Sequence, residues 1–239
     1  ELTDKNENRL SVPPINLEQK VLSELILDKN DIVVCSGPAG TGKTLVALST
    51  SMRLIDKNKD LYKRIVYIRK TVIAGNKEDE LGFLPGDLTE KMAGYNQPME
   101  DSLKKIATIK KKNQTKEELE ERINTLKEKY EIEYLYSGHL RGATLDDGTI
   151  LIADEIQNWD VPSIRTIFSR AGKNNIILAL GSNNQIDSAF LTKNNNALTF
   201  LINKCGKDNV SDVRVKGVKL TNVMRSKISE WADIELVQK

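Results

Sequence analysis

Apolar residues along this chain fall into two recurring patterns, and their order predicts the architecture. Short continuous runs at Ile32 to Cys35, Arg64 to Ile68, Ile150 to Ala153 and Asn175 to Leu180 have the length and β-branched content of buried strands. Val213 to Thr221, VRVKGVKLT, alternates and reads as one more. Helical spacing lies between and before these runs, in Leu17, Val21, Leu22, Leu25 and Ile26 and again in TLVALSTSMRLI. Such an alternation predicts parallel strands joined by right-handed crossovers, with ligand groups gathered where the strands end. The strand from Ile150 to Ala153 is expected beside the first one.

The pattern changes between Met99 and Glu133, where lysine, glutamate and spaced aliphatics dominate. Leu103, Ile106 and Ile109 make one stripe; Thr115 and Glu118 have capping-box spacing ahead of Leu119, Ile123, Leu126 and Tyr130. This predicts a helical hairpin at about 103–133, read as an insertion on the core. Lys104, Lys105, Lys110, Lys111 and Lys112 make its first half basic, either a solvated face or a surface for phosphate backbones. Upstream, Leu81, Phe83 and Leu84 are apolar within a Gly- and Pro-punctuated stretch; they are tucked into the core or form a contact surface for nucleic acid or a neighbouring subunit. Residues 1–15, ending in Pro13-Pro14, read as a flexible lead-in, and 16–239 as a single domain.

Composition narrows the class only a little. Across 239 residues the charges nearly cancel, at +2, which neither demands nor excludes a nucleic-acid partner. Two cysteines without metal-ligand spacing and a single histidine give no metal-site pattern. No apolar run is long enough for a bilayer, so a cytoplasmic protein without a membrane partner is expected.

The chemistry begins at DIVVCSGPAGTGKT, residues 31–44. Gly37, Gly42, Lys43 and Thr44 occupy the fixed positions of G-x-x-x-x-G-K-[ST]. Glycines let the turn that opens with Pro38 bend so that the backbone N–H groups of Ala39, Gly40 and Thr41 and of the following helix start, through Leu45, curl around a phosphate. Lys43 would reach the β and γ phosphates of ATP, and the Thr44 hydroxyl would ligate Mg²⁺. TILIADEIQN supplies the complementary acids at a second strand end, with Asp154 suited to hold Mg²⁺ and Glu155 to polarise the attacking water. Gln19 is either a solvated helix residue or a partner for an adenine edge, and Gln185 either faces the γ phosphate or hydrogen-bonds within its own turn. Arg225 could reach a phosphate oxygen or be an ordinary surface arginine.

Taken together, GPAGTGKT, LGFLPGDLTEKM, LRGATLDD, DEIQN and the triplet Gln185-Ile186-Asp187 resemble the PhoH-like ATPase family, relatives of the superfamily 1 helicase core. The resemblance covers roughly Asn16 to Glu235, apart from much of the hairpin. It implies an α/β P-loop NTPase with a RecA-like three-layer core and a mainly parallel sheet. It further implies that Gln19 contacts adenine, that Lys43, Thr44, Asp154 and Glu155 hold and hydrolyse Mg-ATP, and that Gln185 and Arg225 face the γ phosphate. A single such core moving on single-stranded nucleic acid, RNA favoured, would need other copies, and the resemblance points to a homo-oligomeric ring such as a hexamer. A nucleotide-controlled switch for a protein partner is the rival reading. Lys70, Ser182 and Ala143 depart from the proline, acid and arginine usual in the family, departures that bear on strand handling more than on nucleotide binding.

Overall fold

The computed structural model describes residues 12–70, 88–109, 114–136, 144–209 and 211–224. Within them the order is α1 (Leu17–Leu27), β1 (Ile32–Ser36), α2 (Lys43–Lys57), β2 (Arg64–Arg69), α3 (Leu88–Thr108), α4 (Lys116–Lys129), β3 (Ile132–Tyr136), β4 (Thr149–Asp154), α5 (Val161–Phe168), β5 (Ile176–Gly181), α6 (Ala197–Ile202) and β6 (Val215–Lys219). The six strands form one sheet in the order β3-β2-β4-β5-β1-β6. Every pairing is parallel. The α/β class and the parallel sheet expected from the pattern are therefore present.

One neighbour relation differs from expectation. β4 does not lie beside β1, because β5 is inserted between them, pairing Ile177 with Ile32's position on one side and Leu151's on the other. Both β4 and β5 are buried along their whole length, as central strands of a sheet covered on two faces must be. β6 is largely exposed and closes the sheet at one edge.

Side chains alternate across the sheet and so build two cores. Val33 and Cys35 join Leu22 and Ile26 of α1, Leu48 and Met52 of α2, Leu103 and Ile106 of α3 and Leu126 of α4. Val34 faces the other way, with Leu151, Ala153 and Ala179, against Ile164 and Ile167 of α5 and Leu198 of α6. The hairpin stripes thus belong to the sheet's own core and form the crossover from β2 to β3. β3, IEYLY, was not anticipated, and two of the apolar positions assigned to helix stripes are exposed: Leu17, at 75 %, and Ile109. Cys35 is buried, which pushes its thiol up to about 12 and leaves it an apolar packing residue.

Candidate functional site

The phosphate loop runs from the end of β1 to the start of α2, so Gly37, Pro38, Ala39, Gly40, Thr41, Gly42, Lys43, Thr44 and Leu45 form one turn and the first turn of a helix. Gly40 and Gly42 have φ of 77° and 87°, a region that side-chain-bearing residues avoid. Gly37 is needed for a different reason: a Cβ there would lie 2.4 Å from the Leu220 carbonyl oxygen. The loop's base is pinned on both sides, Gly37 N–H donating to Gly181 O and Leu220 N–H to Ser36 O. No side chain caps α2, whose positive end points at the turn. Lys43 Nζ lies across the loop, donating to Gly37 O and Pro38 O at 2.7 and 2.8 Å.

β4 delivers the acids to the same end of the sheet. Asp154, only 3 % exposed, accepts through Oδ2 from Thr44 Oγ1 at 2.9 Å and from Tyr67 Oη at 3.0 Å. Its Oδ1 accepts from the Glu155 backbone N–H. Tyr67 is buried on β2, edge-on to Tyr134, and its hydroxyl is pushed well above the ordinary tyrosine range by burial and by Asp154, so it stays a donor. Glu155 adopts φ 53°, a strained conformation for a non-glycine residue and one found at functional sites. Burial and the adjacent Asp154 raise its pKa, against the pull of Gln157, Arg69 and Lys43. Arg69, in register with Asp154 on the neighbouring strand, brings its guanidinium to 3.9 Å from Glu155 Oε1.

A hydroxyl and a carboxylate 2.9 Å apart, beside a loop shaped for phosphates, fit a hard divalent cation that takes its remaining ligands from phosphate and water. Thr44 and Asp154 are the residues that would hold it.

The strand that intervenes, β5, turns out to be laced to the acids. Gln157 is fully buried; its Nε2 donates to Glu155 Oε2 and to Gln185 O, while its Oε1 accepts from Ser182 N–H. Asn158 exchanges two hydrogen bonds with Asp187. Gln185 thereby sits beside Glu155 by way of its backbone, and that backbone is itself turned by Gln185 N–H donating to Ser182 O. In the sequence Gln157 and Asn158 stand only as parts of DEIQN and Tyr67 only within a strand run; two polar residues one position past the acid pair are the local signal.

Gln19 is not solvated. It is 4 % exposed, and its amide faces the phosphate loop, donating to Thr41 O. Arg225, Leu81, Phe83, Leu84, Lys110 to Lys112 and residues 140–143 lie outside the described residues. A cavity of about 650 Å³ opens on the α6 side of the loop; it is lined by Gly37, Pro38, Ser182 and Lys219 but by neither Lys43 nor Asp154.

A phosphate loop after β1, an acidic pair after a strand one place removed, and a polar loop on the strand between them define the P-loop NTPase fold. More narrowly, the chain belongs to the PhoH-like protein family, whose model matches residues 11–235. It is 30 % identical over 228 residues to Protein PhoH2 of Bacillus subtilis (strain 168), covering 95 % of this chain and 48 % of that protein. It is 34 % identical over 161 residues to a PhoH-like protein of the same organism, covering 67 % and 45 %. The chain thus spans about half the length of the curated relatives it matches. Among solved structures, the Sulfolobus solfataricus SWI2/SNF2 ATPase core in complex with dsDNA is 14 % identical with a TM-score of 0.47, covering 90 % of this chain and 46 % of that one. Pif1 helicase from Candida albicans is 15 % identical with a TM-score of 0.39, covering 90 % and 42 %. No helix of the described residues is long and apolar enough to cross a membrane.

Proposed function

We propose that this chain hydrolyses ATP and uses the cycle to act on single-stranded nucleic acid, RNA favoured, as an assembly of copies such as a hexameric ring, with 16–239 working as one ATPase domain. The observation that carries the hydrolytic part is the junction of Thr44 with Asp154 at 2.9 Å beside the half-buried, positive-φ Glu155. Lys43 leaves the carbonyls of Gly37 and Pro38 for the β and γ phosphates, while backbone N–H groups of the loop surround them. Mg²⁺, when bound, supplies positive charge against the phosphate oxygens. Glu155 accepts a hydrogen bond from the attacking water and orients it, and its raised proton affinity makes it the better base. Gln185, held to the same carboxylate through Gln157, reports on the γ phosphate, and Arg225 would add charge stabilisation from the chain beyond Met224. The nucleic-acid part draws its support from family membership and from exposed Lys104 and Lys105 on α3.

The test is ATP hydrolysis measured alone, with single-stranded RNA and with single-stranded DNA, alongside sedimentation with and without nucleotide. Stimulation by RNA above DNA, and oligomers with nucleotide, are expected. Hydrolysis unaffected by either polymer would replace the strand reading with the protein-binding switch, and a monomer throughout would remove movement along a strand. Lys43→Ala should bind no nucleotide; retained turnover in that variant would overturn the assignment altogether.

A further inference from the structure

The outer side of the phosphate loop is gripped at two consecutive carbonyls. Met224 N–H donates to Gly40 O at 3.0 Å, and Gln19 Nε2 donates to Thr41 O at 2.9 Å. In a trans peptide the carbonyl of one residue and the N–H of the next point to opposite sides of the chain. Holding Gly40 O and Thr41 O outward therefore aims the N–H groups of Thr41 and Gly42 inward, where a phosphate would be bound.

Gln19 is committed to this task at both ends of its amide. Oε1 accepts from Ile15 N–H at 3.1 Å while Nε2 serves Thr41, and exchanging the two ends would set donor against donor and acceptor against acceptor. The glutamine is buried, and a Cβ at Gly42 would come within 2.9 Å of its Nε2, so the loop glycine and the glutamine fit each other. Turning the amide toward a base would break both bonds. Met224 is held in turn by Glu18, whose carboxylate accepts from Thr221 N–H and Oγ1 and from Asn222 N–H.

Three apolar side chains at this end of the molecule are exposed. Ile15, Leu17 and Met224 are 61, 75 and 50 % exposed and gather around Asn16, whose Nδ2 lies 3.9 Å from Met224 Sδ. Aliphatic and thioether groups can lie against the ring face that every base has, and they discriminate poorly between bases.

We infer that Gln19 is a positioning residue that shapes the phosphate cradle, and that the site takes nucleoside triphosphates with little regard to the base. This rests on the nucleotide reading above and specifies its substrate class.

The test is titration calorimetry of the full chain with the magnesium complexes of ATP, GTP, CTP, UTP and base-free tripolyphosphate. The four nucleotides should bind within about tenfold of one another, the span left when no hydrogen bond reads the base. Gln19→Leu should weaken all five probes by a similar factor of about tenfold, the loss of one hydrogen bond's worth of cradle order. The inference is overturned by a Gln19→Leu protein that loses ATP but keeps tripolyphosphate, or by an unaltered protein that prefers ATP by orders of magnitude. Glu18→Ala, a surface change that loosens the Met224 grip, should weaken all five probes together by a smaller factor; it decides the matter if Gln19→Leu does not fold, since a loss confined to ATP, or no loss, counts against the inference. Binding of none of the five by the unaltered protein would instead remove the nucleotide reading itself.

Discussion

The phosphate loop and the acidic strand end meet at the Thr44–Asp154 bond, yet the two halves of the crevice are held in different ways. The loop is fastened from outside through its backbone, its carbonyls held by Gln19 and Met224 and its base by Gly181 and Leu220. The acids are fastened from within, through side chains, by Tyr67, Gln157 and Arg69. Fastening a backbone leaves its N–H groups as a fixed mould for a group whose shape never changes. Fastening a carboxylate through other side chains leaves it able to exchange partners, as the water-orienting role proposed for Glu155 requires. The difference also sets how each half would fail: the first by losing binding, the second by losing turnover.

Glu155→Gln tests that split most severely. It keeps the size of the side chain and removes the base, so nucleotide binding should persist while turnover falls on the order of 10²–10⁴-fold. Loss of binding in step with turnover would mean that the two halves are not separable in this way.

A smaller effect is expected at Gly181, whose carbonyl accepts from the Gly37 N–H and whose Cα faces Gln157. A Cβ there would lie 2.5 Å from Gln157 Oε1 and 3.0 Å from Leu198 Cδ2. Gln157 is fully buried and triply hydrogen-bonded, so it has nowhere to move. Gly181→Ala should cost about 1–3 kcal/mol in urea unfolding and reduce turnover more than nucleotide affinity. An unchanged midpoint would show that the lacing is looser than its hydrogen bonds imply.

These contrasts also mark what could be read from the chain itself. β1, β4 and β5 were legible because each is a self-contained apolar run, and the phosphate loop because its residues are contiguous. The insertion of β5 between β1 and β4 was not, since no local pattern says which neighbour a parallel strand will take. β3 was missed because IEYLY directly follows the α4 stripe, with only Tyr130-Glu131 between. Leu17 fits helical spacing yet lies exposed, while the polar Gln19, two residues on, is buried; periodicity marks a face but does not know that a loop will come to occupy it. The lacing by Gln157 and Asn158 joins residues about 25 to 29 positions apart, beyond the reach of any local rule.

Asn158→Ala sits lower on the scale. It removes both bonds to Asp187, whose exposed side chain can turn to water, so a loss of about 1 kcal/mol in unfolding is expected. Nucleotide affinity should hold, and a fall in it would place this residue with the loop half of the crevice.

The smallest effect separates the halves by pH. Hydrogen bonds from the Thr221 side chain and backbone hold Glu18 below its ordinary 4.5, and it sits on the loop's outer fastening. The unfolded chain returns that carboxyl to its ordinary value, so the folded state binds the proton less readily. Its stabilising contribution is therefore complete above 4.5 and disappears as the pH falls through the lowered folded value. The group is partly exposed and solvent-screened, so the change is slight. Thermal midpoints of the unaltered protein and Glu18→Gln should differ at neutral pH and draw together as the pH falls below 4.5. A gap that stays constant across that range would mean that the outer fastening of the loop does not depend on this charge, leaving Gln19 as the side chain that holds it.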